Sequence, residues 1–402
     1  MRTLIIGTAL AVWATCPAGA AQAQTQAQAA EASKALNLSF GYKADLAATL
    51  DGGAALRGRV LDDLTLGADL DLEKAAGWTG ARAHALLLSN SGGAPNDDAG
   101  SIQGVDNIEV SRHRVRLYEA WIEQDLAGGR GSVRAGLYDL NSEFYANDSA
   151  GLLIAPAFGI GSELAATGPN GPSIFPSTSL AVRLAWTPSE RVYVQAAALN
   201  AHAGVLGDPG GIDFHMNDGA LLIAEGGWTG LGKTETGKVA FGVWRYTRKQ
   251  DDIRDLAPTG DPAKRKAQGA YVLLERGLTR AEGEDAVRRA TAFARLGVSD
   301  GDTTPFQGGW QAGIKVEHVF EARPDSAFSL GVNQAYLTRK YRANAADEGR
   351  DLGDTESAIE VTYADKLGRL TLQPDLQYVI RPGGDRAMKN AVVAILRAGV
   401  EF

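Results

Sequence analysis

Strict two-residue alternation is the feature that most limits what this chain can become. In the closing stretch "NAVVAILRAGVEF", Val392, Ala394, Leu396, Ala398, Val400 and Phe402 fall on one side. Val393, Ile395, Arg397, Gly399 and Glu401 fall on the other. Successive side chains of a strand point to opposite faces, so this is a strand with one apolar face and one face that carries both charges. The pattern recurs upstream. "LNLSFGYKAD" sets Leu36, Leu38, Phe40 and Tyr42 against Asn37, Ser39, Lys43 and Asp45. "LTLGADLDLE" sets Leu64, Leu66, Ala68, Leu70 and Leu72 against Thr65, Asp69, Asp71 and Glu73. "LTLQPDLQYVIR" alternates too, with Pro374 as a misfit that costs a paired strand one ladder hydrogen bond.

About sixteen such segments can be placed, centred near residues 40, 68, 83, 119, 135, 183, 195, 224, 242, 272, 294, 315, 332, 361, 376 and 396. Their connections alternate in character. Short ones ("KAAG", "AGGRG", "TPSE", "DKLG") take turns with long polar ones ("SNSGGAPNDDAGSIQGVDNIEVSR", "KQDDIRDLAPTGDPAKRKAQ", "RANAADEGRDLGDT"). The stretches 232–238 and 365–368 read as turns of the short-loop side. A soluble sandwich has no reason to keep its long loops at one end. An up-and-down barrel in an outer membrane does, with tight inner turns, extended outer loops and apolar-out, polar-in strands. The expected fold is therefore all-β, a transmembrane antiparallel β-barrel of about sixteen strands. Phe402 closes it with an aromatic residue, which resembles the assembly signal of such barrels.

The N-terminus agrees with export. Residues 1–23 combine an early arginine, an apolar run and small-residue cleavage sites, the pattern of a cleaved signal peptide. Residues 24–35 read as a mobile lead-in and 36–402 as the barrel. Cys16, the only cysteine, lies inside the signal, so the mature chain is expected to hold neither a disulfide nor a thiolate metal site. Net charge is −8, and −9 once Arg2 leaves with the signal, which argues against nucleic acid as a partner. Glycine is abundant, 49 of 402 residues against a usual share of about 7%, and no later stretch is a membrane helix. The expected compartment is the bacterial outer membrane, with its lipid and lipopolysaccharide as surroundings.

Three segments concentrate candidate function. "GWTGARAHALL" puts Arg82 and His84 on one face with Trp78, opposite Ala81, Ala83, Ala85 and Leu87. "VRLYEAWIEQDL" puts Glu119, Trp121 and Glu123 opposite Tyr118, Ala120 and Ile122. "VRAGLYDLNSEF" turns Arg134 and Tyr138 inward, opposite Val133, Ala135 and Leu137. Aromatic faces stack on sugar rings and charged groups bond hydroxyls, so such a wall suits a polyol. Opposite charges on adjacent strands also hold any barrel together, so each residue carries that second reading. The segment 141–179 is the longest connection and carries Leu152, Leu153, Ile154, Phe158 and Phe175, which an external loop would not need. It reads as a constriction loop folded into the pore. Five scattered histidines lack metal-ligand spacing, no Ser, His and Asp motif stands out, and "GPNGP" lacks the Lys-Ser/Thr of a phosphate loop. No metal, no cofactor and no enzyme activity are expected, with a barrel-embedded hydrolase as the alternative from another class.

Taken in order, "GWTGARAH", "IQGVDNIE", "RLYEAWIEQDL", "AGLYDLNSEF", "GPSIFP", "FGVWRYT" and the terminal "LQPDLQYVIRPGG…NAVVAILRAGVEF" resemble the carbohydrate-selective (OprB-type) outer-membrane porins. The resemblance runs from about Asn37 to Phe402. It implies a 16-stranded barrel that carries small sugars by facilitated diffusion, with Trp78, Arg82, Glu119, Trp121, Arg134 and Glu143 at matching lumen positions. Glu123 joins them from the alternation alone. A general or anion-selective porin on the same barrel is the alternative.

Overall fold

Every segment that alternates becomes a strand. The computed structural model describes residues 34–205, 208, 210–230, 237–279 and 288–402. The first strands are β1 (Leu36–Asp51), β2 (Gly58–Asp71), β3 (Ala81–Gly92), β4 (Arg114–Leu126) and β5 (Gly131–Tyr138). They are followed by β6 (Ser179–Ser189), β7 (Val192–Asn200), β8 (Ala220–Thr229) and β9 (Lys238–Tyr246). A small hairpin of β10 (Gln250–Leu256) and β11 (Pro262–Arg265) stands apart. Then come β12 (Gln268–Gly277), β13 (Arg289–Ser299), β14 (Phe306–Glu317), β15 (Ala327–Leu337), β16 (Thr355–Leu367), β17 (Leu370–Ile380) and β18 (Ala391–Glu401). Among the described residues, the sixteen strands other than β10 and β11 form one closed barrel in which β1 pairs antiparallel with β18. Each expected segment centre lies inside one of them.

Burial is inverted relative to a water-soluble fold. Leu38, Val60, Leu66, Phe241, Leu376 and Leu396 are exposed on the outer surface, whereas Asp45, Asp63, Glu123, Gln311 and Gln377 are buried inside. Lipid must solvate the first set, and ion pairs and hydrogen bonds must satisfy the second. The last strand follows the expected facing, with Leu396 outward and Arg397 inward on Asp45 at 2.6 Å. At Pro374 the β16–β17 ladder skips its pairs and resumes in the same register. Among the described residues no helix is long and apolar enough to cross a membrane.

Both described ends of the barrel chain lie at the end with the tight turns, where Phe40 and Phe402 exchange backbone hydrogen bonds of 3.1 and 2.9 Å. The opposite end carries the connections 93–113, 139–178, 201–219, 247–267 and 338–354. Three connections there, 52–57, 300–305 and 381–390, are shorter, so the alternation of short and long is not complete. The polar stretches expected as plain loops contain the β10–β11 hairpin and a helix, Arg339–Asp347. The expected turn at 232–238 lies mostly outside the described residues, whereas of 365–368 only Gly368 lies in the tight turn between β16 and β17, and 365–367 end β16.

The 139–178 connection folds into the barrel, as its apolar residues require. Leu153, Ile154, Phe158 and Leu164 are buried there. Tyr145 and Leu164 pack against Leu221, Trp244 and Tyr271 of the wall, and Phe158 against Phe293. Gly331 makes room: a Cβ there would meet the Phe158 ring at 2.6 Å.

Candidate functional site: a charged constriction

Register places the candidate side chains in one row. Arg82 pairs with Glu123, Glu123 with Arg134, and Arg134 with Arg183, across β3, β4, β5 and β6. The row one step toward the long loops holds Asp69, His84 and Trp121. Between these rows and the long loops, β4 bulges. Leu86 pairs with Glu119 and Leu87 with Leu117, which leaves Tyr118 as an extra residue. Tyr118 is therefore turned inward and buried, contrary to strict alternation, and its hydroxyl donates to Asp139 at 2.7 Å. Glu119, Trp121 and Glu123 keep the inward facing expected of them.

The ion pairs converge on two carboxylates. Glu123 has guanidinium nitrogens of Arg82 at 3.1 Å, Arg134 at 2.7 Å and Arg183 at 3.0 Å. Glu143, on the folded-in loop, has Arg183 at 2.7 Å and Arg134 at 3.4 Å, and accepts the Tyr138 hydroxyl. The arginines differ in exposure: the Arg82 side chain is 53% exposed, Arg134 12% and Arg183 3%. Arg183 is locked and Arg82 is open to the lumen.

Trp121 is covered on two sides. The Arg134 guanidinium lies 3.8 Å from its ring centroid, and His84, from the strand on the other side, stacks at 5.1 Å and 24°. His84 Nδ1 is 2.7 Å from Asp69, and its Nε2 is 3.6 Å from Glu119. Glu119 also accepts the Asp139 N–H at 2.9 Å. Trp78 stands away from this group, half exposed in the turn before β3. The structure thus gathers Arg82, Glu119, Trp121, Glu123, Arg134 and Glu143 and leaves Trp78 at the rim. Sequence reasoning missed Arg183. The signal was faint: in "SLAVRLAWT" a single arginine shares its face with Ser179, Ala181, Ala185 and Thr187.

The opposite wall holds the loop. Glu225 accepts the Tyr145 N–H at 3.0 Å, Glu275 that of Ser149 at 2.7 Å, and Glu360 those of Ile154 and Ala155. Arg295 donates to the carbonyls of Gly159 at 2.9 Å, Tyr145 at 3.2 Å and Ala157. These polar side chains satisfy a loop backbone that water cannot fully reach.

Among the described residues, cavities line the interior. One of about 510 Å³ near the long loops includes Arg112, Asn170, Phe175 and Pro176. It shares Ile174 and Phe175 with one of about 380 Å³ lined by Lys43, Asp63, Tyr118, Asp139 and Asn141. Toward the tight turns, a third of about 330 Å³ is lined by Asp69, Asp71, Glu73, Arg82 and Asp125. Such an arrangement offers hydrogen-bond partners along a passage. Among the described residues there is no group of acidic, histidine or cysteine side chains that could hold a metal ion.

Comparison with known proteins gives this passage a lineage. The pattern of the carbohydrate-selective porin, OprB family, matches residues 57–402. The chain belongs to that family. Porin B of Pseudomonas aeruginosa is 26% identical over 92% of this chain and 88% of its own length. The high-pH structure of Pseudomonas putida OprB superposes with a TM-score of 0.83 at 25% identity, covering 94% of this chain and 97% of that one. The outer-membrane channel DcaP of Acinetobacter baumannii shares the fold, with a TM-score of 0.53 at 12% identity over 91% of this chain and 97% of its own. This OprB-family barrel is thus a carbohydrate-selective porin of the bacterial outer membrane, and both family and fold are those of a channel.

Proposed function

We propose that this porin passes small neutral sugars, with Arg82 as the group that meets their hydroxyls and Arg134 and Arg183 as the groups that hold the constriction in shape. The difference in exposure supports this reading. All three arginines share Glu123, yet only Arg82 has about half of its side chain open to the lumen. A guanidinium that is fixed at one edge and open at the other can exchange water for a hydroxyl without leaving its partner. Such a contact is weak, as transport requires: a solute held tightly would block the pore.

Long loops face outward and tight turns inward in barrels of this kind, so sugar travels from the Arg112 vestibule to the acidic mouth. That mouth sets Asp69, Asp71, Glu73 and Asp125 against Arg82, which favours neutral solutes over anionic sugar acids. Trp121, covered by His84 and Arg134, serves here to position Arg134 more than to stack on sugar.

Single-channel recording tests the proposal. Glucose should interrupt the current in a saturable way, gluconate should do so far less, and Arg82→Gln should weaken glucose block roughly tenfold with insertion unchanged, the loss of about one charge-assisted hydrogen bond. Absence of block in the wild-type protein would remove the sugar reading. Undiminished block in Arg82→Gln would remove Arg82 alone.

A further inference from the structure

One large cavity among the described residues lies outside the barrel. A groove of about 920 Å³ crosses the lipid-facing surface of β6–β9, β12 and β13. Pockets that hold ligands span roughly 300–1,000 Å³. One register row, Leu184–Ala196–Ala224–Val243–Ala270–Val298, runs unbroken along it. The alanines form the floor and the larger residues the sides. One step nearer the long loops, the same face carries Arg245, exposed and paired across the ladder with Leu222 and Gln268. Among the described residues the Arg245 guanidinium has no ion pair or hydrogen-bond partner. Asp300, at the same rim, is already committed to the N–H groups of Gln268 at 3.1 Å, Asp302 at 2.9 Å and Thr303 at 3.2 Å.

A free arginine at the edge of an apolar surface reaches toward the interface and an anion. Basic residues beside membrane-facing clefts bind lipid phosphates in this way. We propose that the groove seats an acyl chain of a phosphorylated glycolipid of the outer leaflet, with Arg245 on its phosphate. The position of the groove toward the long-loop end places it in that leaflet. A second copy of the chain fits less well, because Asp300, the carboxylate lining the groove, is already engaged. The inference is independent of what crosses the pore.

Native mass spectrometry of the detergent-purified barrel, titrated with bisphosphorylated lipid A, its dephosphorylated form and phosphatidylglycerol, tests it. One lipid A should bind per barrel, and more tightly than the other two. Arg245→Gln should lower lipid A occupancy roughly fivefold, the contribution of one basic residue near a membrane surface. Ala196→Leu with Ala224→Leu should fill the groove and abolish binding, while the heat-modifiable gel shift and ion conductance stay as in the wild type. Equal lipid A binding by Arg245→Gln overturns the proposal, and so does phosphatidylglycerol binding as tightly as lipid A. A lipid-free dimer lost in the double-leucine variant would reassign the groove to a second copy. If the double variant does not fold, Arg245→Gln decides.

Discussion

Two walls of one barrel use the same residue types for opposite ends. On β3–β6, glutamates and arginines bond one another side chain to side chain, and the outermost, Arg82, keeps an open edge. On β8, β12, β13 and β16, Glu225, Glu275, Arg295 and Glu360 bond the backbone of the folded-in loop instead. An inward charge is therefore not by itself a solute contact. Its partner decides: a backbone partner makes it a fastener, and a side-chain partner that leaves one edge free makes it a contact.

The contrast breaks most visibly on the fastening wall. Arg295→Leu removes a donor from three loop carbonyls at once and should cost at least about 3 kcal/mol. It should lower the unfolding temperature in detergent and raise conductance as the loop loosens. Unchanged conductance would mean that the loop is held by packing, and the two walls would not differ in kind. Arg183→Leu comes next, because it strips a partner from both Glu123 and Glu143. A loss of about 1.5–3 kcal/mol and noisier current are expected, with Arg183→Lys intermediate because an ammonium lacks the planar fork. Equal behaviour of leucine and lysine variants would make Arg183 a space-filler.

A smaller effect sharpens the contact wall. Trp121→Ala takes the platform from beneath Arg134, and glucose block should weaken about threefold, in line with about 0.5–1 kcal/mol for a cation–π contact. Trp121→Phe should recover most of it. A far larger loss on Trp121→Ala, not recovered by phenylalanine, would point to the indole as the direct sugar contact.

The smallest effect lies outside the barrel, where side-chain pairing also fastens. Lys340 Nζ meets Asp302 at 2.7 Å, Asp255 at 2.8 Å and Asp252, which ties the helix Arg339–Asp347 to the β10–β11 hairpin and the 300–305 connection. Burial alone would raise the Asp252 carboxyl, but hydrogen bonds from Lys340 and from the Asp255 and Arg254 N–H groups hold it well below its ordinary value. Burial alone would lower Lys340, but its hydrogen bonds to Asp252, Asp255 and Asp302 hold it above its own. The carboxylate contribution is complete above about pH 4 and is lost as pH falls further, and the lysine contribution is complete below about pH 10 and is lost as pH rises further. Protease resistance of these loops should then be flat from about pH 5 to 9, and Lys340→Ala should speed cleavage by no more than about twofold across that range. A step in resistance near neutrality would assign the fastening elsewhere.

The strands were legible because alternation is a local pattern set by lipid on one side and water on the other. All sixteen strand positions followed from it. The bulge at Tyr118 was not legible, since an extra residue in one strand shows only against its partner strand. Arg82, Glu119, Trp121, Glu123 and Arg134 could be read as a group from facing alone. Arg183 was hidden by its alanine neighbours. The fastening roles of Arg295 and Glu360 had no sequence signal, because their partners are backbone atoms 136 and 206 residues away.

Closure carries a consequence for how the protein is made. Asp45 and Arg397, which meet across the β1–β18 seam, are 352 residues apart in the chain. Contacts of such separation form late, because loop-closure entropy must be met before they contribute. Until the final strand arrives, the growing sheet has two unpaired edges, each a template for the wrong neighbour. The barrel can thus be closed only after β18 has been made, and the nascent chain must be kept from pairing until it reaches the membrane. A chain truncated before β18 should yield aggregate, not a narrower pore.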